Sequence, residues 1–267
     1  MKKKLSLILI LVLALSTVFM TGCHEKYDLE EMAKEEEAAG NTEEATEENT
    51  EDTTEEEAEA AEDSTETDAS TTEEVLQGTP PAEILGKTTE TSYSNSFFGI
   101  KYTTPNENWY IATKEELGQV MGMAASTISD EEILDILENS GFAIDFYALD
   151  TTNAATAVTF DSINITIEDI GKMYGILASE KELAESGLET SKQALEAQGW
   201  TNVNMEVTEA VFAGVPRVCT VSSAEMDGSK MFQKQIYLKK ESYIACITVG
   251  SFDEDKTDEI LKAFTAL

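Results

Sequence analysis

Residues 200–249 read WTNVNMEVTEAVFAGVPRVCTVSSAEMDGSKMFQKQIYLKKESYIACITV. Beyond Trp200, apolar residues recur at every second position, the spacing of a strand with one buried face. Val203 to Val211, Arg217 to Ser223, Met231 to Leu238 and Tyr243 to Val249 form four such runs, joined by short breaks. The break at Asp227-Gly228 suits a type I′ hairpin, whose two central residues both take positive φ. The stretch therefore predicts an antiparallel meander. Helical patterns on both sides of it make the whole an α+β fold, an antiparallel sheet flanked by helices.

Working outward, Ile260, Leu261, Phe264 and Leu267 are spaced as one face of a final helix. Upstream, Ser179 with Glu182 is a capping box, opening a helix that uses Ala184, Leu188 and Leu195 and is stopped by Gly199. Before it, Ile170, Met173, Tyr174 and Leu177 predict another helix. Thr113 with Glu116 and Ser129 with Glu132 are two further capping boxes. The first leads into Leu117, Val120, Met121 and Ala124; the second into Ile133 and Leu137, with Gly141 as the stop. Phe142 to Leu149 and Thr156 to Ile165 read as a hairpin. The apolar parity slips between Phe160 and Ile163, which predicts a bulge near Asp161. Phe98, Ile100 and Tyr102 predict a strand ended by Pro105, and Trp109 to Ala112 a second short one.

The meander also fixes an expectation for the cysteines. Cys219 falls on its second strand and Cys246 on its fourth, with the Met231 to Leu238 strand between them. Strands two apart are separated by about 9.6 Å, beyond the roughly 7 Å limit between Cα atoms for a disulfide. Both are expected to be free and buried.

The other end of the chain carries an address. Lys2, Lys3 and Lys4 precede an apolar run from Leu5 to Met20, and Thr21-Gly22-Cys23 follow. About 15 apolar residues fit an export signal better than the roughly 20 needed to span a bilayer. Met20-Thr21-Gly22-Cys23 resembles the bacterial lipobox, which is cleaved before the cysteine. The resemblance implies a signal peptide over residues 1–22, an acylated Cys23, and a lipid-anchored protein on the extracytoplasmic face of the membrane. An uncleaved N-terminal anchor would give nearly the same topology.

Residues 23–87 are expected to form a disordered acidic tether, and residues 88–267 a single globular domain. Residues 24–82 hold 23 Asp and Glu against two Lys, with Tyr27 as the one aromatic. Such a segment cannot bury enough apolar surface to offset its chain entropy. The formal net charge of the full chain is −35. An acidic field repels phosphate backbones and anionic headgroups, so nucleic-acid binding is disfavoured and membrane attachment falls to the lipid.

Once these elements are in order, a family likeness emerges. Tyr93-x-Asn95-x-x-Phe98-Gly99-Ile100-x-Tyr102-x-x-Pro105-x-x-x-Trp109 resembles the opening of PsbP-like domains. The run from Ser162 to Asp169, followed by helices, an antiparallel meander and a C-terminal helix, is similar to their second half. The resemblance implies an α/β/α sandwich around an antiparallel sheet, and many such domains are lipoproteins of uncertain role in Gram-positive bacteria. Plant members serve photosystem II, but their metal-binding residues and histidines have no counterpart here, so that function is not implied.

The side-chain inventory narrows the chemistry. His24 is the one histidine and lies beside the expected lipid, which removes Ser-His-Asp, Cys-His and histidine-metal chemistry from the domain. Arg217 is the one arginine, and no glycine-rich phosphate loop occurs. Asp145, Asp150, Asp161, Glu168 and Asp169 flank the middle hairpin and are the candidates for carboxylate catalysis. Asp253-Glu254-Asp255 with Asp258-Glu259 could attract calcium, but acidic residues also suit the start of a helix. Met121 and Met123, with Tyr147 and Tyr174, are expected in the core. No cofactor, metal or catalytic residue is expected. The sequence predicts a monomeric, non-enzymatic module that binds or assists another envelope component. The alternatives are a receptor for a small molecule or ion, and a carboxylate-dependent hydrolase.

Overall fold

The computed structural model describes residues 80–121, 128–152, 159–171, 175 and 177–267. The signal segment, Cys23, nearly all of the acidic tether, Met123, Ala124, the start of the Thr156 strand, Met173 and Tyr174 lie outside the described residues. Among those described, the chain is α+β, with two antiparallel sheets and few helices.

In chain order the strands are β1 (Lys87–Thr88), β2 (Ser92–Asn95), β3 (Ile100–Thr103), β4 (Trp109–Ile111), β5 (Phe142–Asp150) and β6 (Ser162–Asp169). The meander follows as β7 (Thr201–Phe212), β8 (Val215–Met226), β9 (Ser229–Lys240) and β10 (Tyr243–Phe252), and β11 (Phe264–Ala266) closes the chain. The larger sheet runs β4-β5-β6-β10-β9-β8-β7 and the smaller β1-β2-β3-β11. The helices are α1 (Lys114–Val120), α2 (Asp130–Ser140), α3 (Glu180–Ser186), α4 (Leu188–Ala197) and α5 (Thr257–Leu261).

Local chemistry sets most boundaries. Each of the three capping boxes forms: Thr113, Ser129 and Ser179 accept from the backbone of Glu116, Glu132 and Glu182, whose side chains return to the cap N–H. Gly141 ends α2 in the left-handed region at φ 71°. Asp227 and Gly228 take φ 52° and 86° between paired Met226 and Ser229, the I′ geometry. Ala213 and Gly214, at 49° and 85°, do the same one hairpin earlier.

Several expectations are corrected. The packed fold begins before residue 88: Ile84, in a 3-10 turn at Ala82–Ile84, is wholly buried beside Leu137 and Ile167. Phe98 and Gly99 form the turn between β2 and β3 rather than part of a strand, with Gly99 at φ 69°. The helix expected from Ser179 to Gly199 breaks at Gly187 into α3 and α4, where the Ser186 hydroxyl donates back to the Leu183 carbonyl at 2.8 Å. Leu177 is 75% exposed and so anchors no buried helical face. The C-terminal helix stops at Leu261, and Phe264–Ala266 instead pair with β3 as β11. The bulge lies between Ile144 and Phe146 on β5, while β6 keeps an unbroken alternation of Ile163, Ile165 and Ile167. Phe160 precedes β6, so its parity carried no information about the sheet.

One face of the larger sheet carries the main core. Phe146, Ile163, Ile165, Ile236 and Ile247 meet Tyr93, Ile100, Tyr102 and Phe264 of the smaller sheet. Aromatic pairs stitch the layers, with ring centroids at 4.7 Å for Tyr93–Phe146, 5.3 Å for Tyr102–Phe146 and 4.9 Å for Phe212–Phe264. Each such pair contributes about 1 kcal/mol beyond its buried area.

The opposite face is apolar at its margins and polar between them. Leu183 and Ala184 of α3 cover Tyr237, Ile244 and Cys246, while Leu195 of α4 and Trp200 cover Ala224 and Met231. Between these margins the strand register aligns two rows across the sheet. One is Asn164, Thr248, Gln235 and Thr220; the other is Ser162, Gly250, Gln233 and Ser222. The side chains in both rows are buried and none is charged.

Cys219 and Cys246 are free and buried, on β8 and β10 with β9 between them. Burial pushes the Cys219 thiol up to about 11, which leaves almost no thiolate near neutrality. Neither thiol should be labelled by an aqueous disulfide reagent until denaturant is added, as read by site-resolved mass spectrometry. Labelling of either in the folded protein would contradict the burial described here.

Candidate functional site

A cavity of about 630 Å³ opens among the segment after the first buried turn, β4, and the starts of α1 and α2. Gly86, Thr88, Thr89 and Glu90 form one wall, and Trp109 to Lys114 another. Leu117, Ile133 and Asp130 come from the helices, and Asp145 from the β5 bulge. Capping boxes fix where α1 and α2 start, so the same local signals that begin the helices position this mouth. Lys114 and Asp130 make an ion pair across it.

Asp145 is the buried charge of the site. The extra residue in β5 interrupts strict alternation, which lets Asp145 and Phe146 both serve the side facing the smaller sheet. Both Asp145 oxygens accept from the Gly86 N–H, at 3.0 and 2.9 Å. Its Oδ2 also accepts from the Tyr93 hydroxyl at 2.6 Å and the Asn95 amide at 3.3 Å. Asn95 in turn donates to the Ile84 carbonyl at 2.8 Å.

Burial pushes the Asp145 carboxyl up to about 6, opposed by the donations from Tyr93, Gly86 and Asn95. Tyr93 is held well above the usual phenol range by burial and then by the Asp145 charge, so it stays a donor. Near the mouth, burial and the Glu116 carboxylate raise Tyr110, whose hydroxyl donates to Glu116 at 2.5 Å.

Chemically, Asp145 is a latch. Three protein groups donate to its carboxylate, and together they tie the chain entering the domain to the bulge. The cavity beside it has apolar walls from Trp109, Ile111, Leu117 and Ile133, with polar groups at the Lys114–Asp130 pair. That arrangement suits a ligand or partner side chain with an apolar body and a polar end.

The other sequence candidates disperse. Asp161 pairs with Lys256 at 3.3 Å and accepts from the Phe252 N–H. Asp150 accepts from the Thr152 N–H and hydroxyl, and Asp169 from the Gly171 N–H. Glu168 is buried at the end of β6. In the C-terminal acidic cluster, Asp255 accepts from the Thr257 N–H and hydroxyl, Asp253 from the Lys230 N–H, and Asp258 pairs with Lys234. No group of three potential metal ligands occurs among the described residues. Tyr147 and Met121 share an apolar cluster with Leu117 and Leu149.

Sequence reasoning singled out Asp145 but not Gly86, Tyr93 or Asn95 as its partners. No local signal marks them, since they meet only when the smaller sheet lies over β5. No helix among the described residues is long and apolar enough to cross a membrane. Compared with known protein families the chain matches no family model, and it matches no curated protein.

Proposed function

We propose that this protein is a lipid-anchored extracytoplasmic binding module, held to the membrane through Cys23 and joined by an acidic, disordered tether to a PsbP-like domain. The observation that carries the binding role is the cavity between β4, α1 and α2, which combines apolar walls with a polar end. Its deepest carboxylate is engaged by internal donors, which favours recognition over turnover. The tether supplies the rest of the mechanism. It keeps the domain at high local concentration near the membrane, so that a weak contact with an envelope component is effective.

The test is photo-crosslinking in the protein's own host cells, with a photoreactive residue at Thr88 on the cavity wall or at Glu209 on β7. The expected outcome is one partner captured from Thr88 and not from Glu209, lost when Cys23→Ala releases the anchor. Equal capture from both positions would count against the cavity, and capture unaffected by Cys23→Ala against the tethered mechanism.

A second reading rests on Asp130 and Asp145 lining one cavity, because two carboxylates can share acid and base roles in hydrolysis. It requires Asp130→Asn to abolish activity on an envelope-derived substrate while leaving stability nearly unchanged, since Asp130 is an exposed partner of Lys114.

A further inference from the structure

An edge strand leaves a row of backbone N–H and C=O groups open to pairing, and shortness, lysines, prolines or bulges usually guard it. The edge strands of the two sheets are β1, β11, β4 and β7. The first three have two or three residues each, whereas β7 has twelve and contains no Lys, Arg or Pro. Its first residues are guarded: the register shifts between Thr201 and Asn204, and the Asn204 side-chain amide donates to the Asn202 carbonyl at 2.9 Å. From Asn204 to Phe212 the strand keeps unbroken register with β8, and among the described residues no other strand pairs with it.

The turn decides which backbone groups are open. A type I′ turn closes on a bond between its flanking residues, so Phe212–Val215 is a bonded pair, and alternation along the ladder makes Ala210–Arg217 and Thr208–Cys219 bonded pairs too. Met205, Val207, Glu209 and Val211 then direct their N–H and C=O groups away from β8. Pro216, with no N–H to give, stands opposite Val211, where the ladder needs none. Val211 is 69% exposed, and Val215 across the turn 45%. Glu206 and Glu209 are exposed on opposite faces of the strand, and neither has an ion-pair partner among the described residues. Arg217 lies one strand further in, opposite Ala210.

We propose that the β7 edge takes up an extended segment of another protein, with Lys or Arg among branched apolar residues, as an added antiparallel strand. Backbone bonds to the four outward residues hold it. Cations opposite Glu206 and Glu209, and an apolar side chain opposite Val211, select it. A second copy of this chain fits worse. It would bring the same glutamates to the seam from both sides, with no cation on either β7, between chains of formal charge −35 each. The edge shares no residue with the cavity containing Asp145. The cavity's partner is therefore still expected from Thr88 alone in the crosslinking experiment above, because this edge takes a different segment.

The test uses the full chain in detergent, with fluorescently labelled peptides read by anisotropy. The probe is Thr-Val-Thr-Lys-Thr-Val-Lys-Val-Thr, written antiparallel to the stretch from Phe212 back to Asn204. One control carries Glu for both Lys; the other carries N-methyl groups on the first Lys and the second Val, which removes the donors facing Glu209 and Val207. The basic probe is expected to bind roughly fivefold tighter than the acidic one, and the N-methylated one not to bind. Glu209→Pro removes an outward N–H without breaking the ladder to β8, so it should abolish binding at a nearly unchanged melting temperature. Glu206→Lys combined with Glu209→Lys should reverse the preference in favour of the acidic peptide. The proposal is overturned if the basic probe does not bind, if binding survives N-methylation or Glu209→Pro, or if the charge swap leaves the preference as it was. A dimer of the unliganded chain that Glu209→Pro dissolves would also overturn it, by giving the edge to a second copy.

Discussion

Gly86→Ala is expected to destabilise the domain by about 3–5 kcal/mol, through overpacking together with the loss of buried hydrogen bonds. A Cβ at Gly86 would sit 2.1 Å from Tyr93 Cε2, 2.5 Å from Cζ and 2.7 Å from the hydroxyl. Tyr93 is wholly buried and its ring packs on Phe146 at 4.7 Å, so it cannot swing aside as a surface side chain would. Either the ring moves and the Tyr93–Asp145 bond is lost, or the backbone moves and the Gly86 N–H leaves Asp145. In both cases a buried carboxylate loses a donor. Gly99→Ala is the control. Unlike Gly86, that glycine has positive φ, 69°, and nothing lies within 4 Å of its Cβ position, so only the backbone cost of about 1 kcal/mol should appear. Urea unfolding of the two variants measures the difference. Equal, small losses would show that Gly86 does not touch Tyr93.

Asp145→Asn should remove a pH dependence worth about 3 kcal/mol, the equivalent of a shift of roughly two pKa units. The carboxyl ordinarily titrates near 3.8 and burial pushes it to about 6. Between those values the folded protein holds a proton that the unfolded chain has released. Folding is thus favoured by protons in this window: the contribution is greatest at about pH 4, falls as pH rises through about 6, and is constant above that. Asparagine has nearly the shape of the protonated acid and can still accept from Gly86 and Tyr93, but it does not titrate. Asp161 is also raised by burial and acts with the same sign, yet it is present in both proteins. Unfolding free energies of wild type and Asp145→Asn, compared from pH 4 to 7, isolate the one group. The gap should move in favour of the variant as pH rises, and parallel curves would contradict the assignment.

How far the sequence was legible depends on the distance over which each signal acts. Thr113, Ser129 and Ser179 announce their helices because cap and partner lie three residues apart. The break at Gly187 was harder to read, because glycine inside a helical pattern costs only about 1 kcal/mol and neighbouring contacts decide the outcome. Phe264 shows the limit most clearly. Its spacing from Ile260 and Leu261 fits a helix, but the chain gains more by pairing Phe264 with Tyr102 on β3 and packing the two tilted rings together at 5.2 Å. Around Asp145 the reading also failed in position. β5 is buried on both faces, so its sequence carries no polar–apolar alternation in which the bulge could show as a break.

By itself the sequence determined the local terms: the three capped helix starts, the period-two strands of the meander, the I′ turn at Asp227-Gly228, the separation of Cys219 from Cys246, and the concentration of negative charge ahead of the domain. Each depends on neighbours along the chain or on the order of adjacent hairpins, where propensity and alternation act directly. Tertiary structure alone decided that Gly86, Tyr93, Asn95 and Asp145 share one buried network, that β11 completes the smaller sheet, and that Asn164 and Thr248 stand together across β6 and β10. Those pairings join segments tens of residues apart, and they are set by which buried donors, acceptors and rings can be satisfied at once when two sheets pack, a condition that no local window contains.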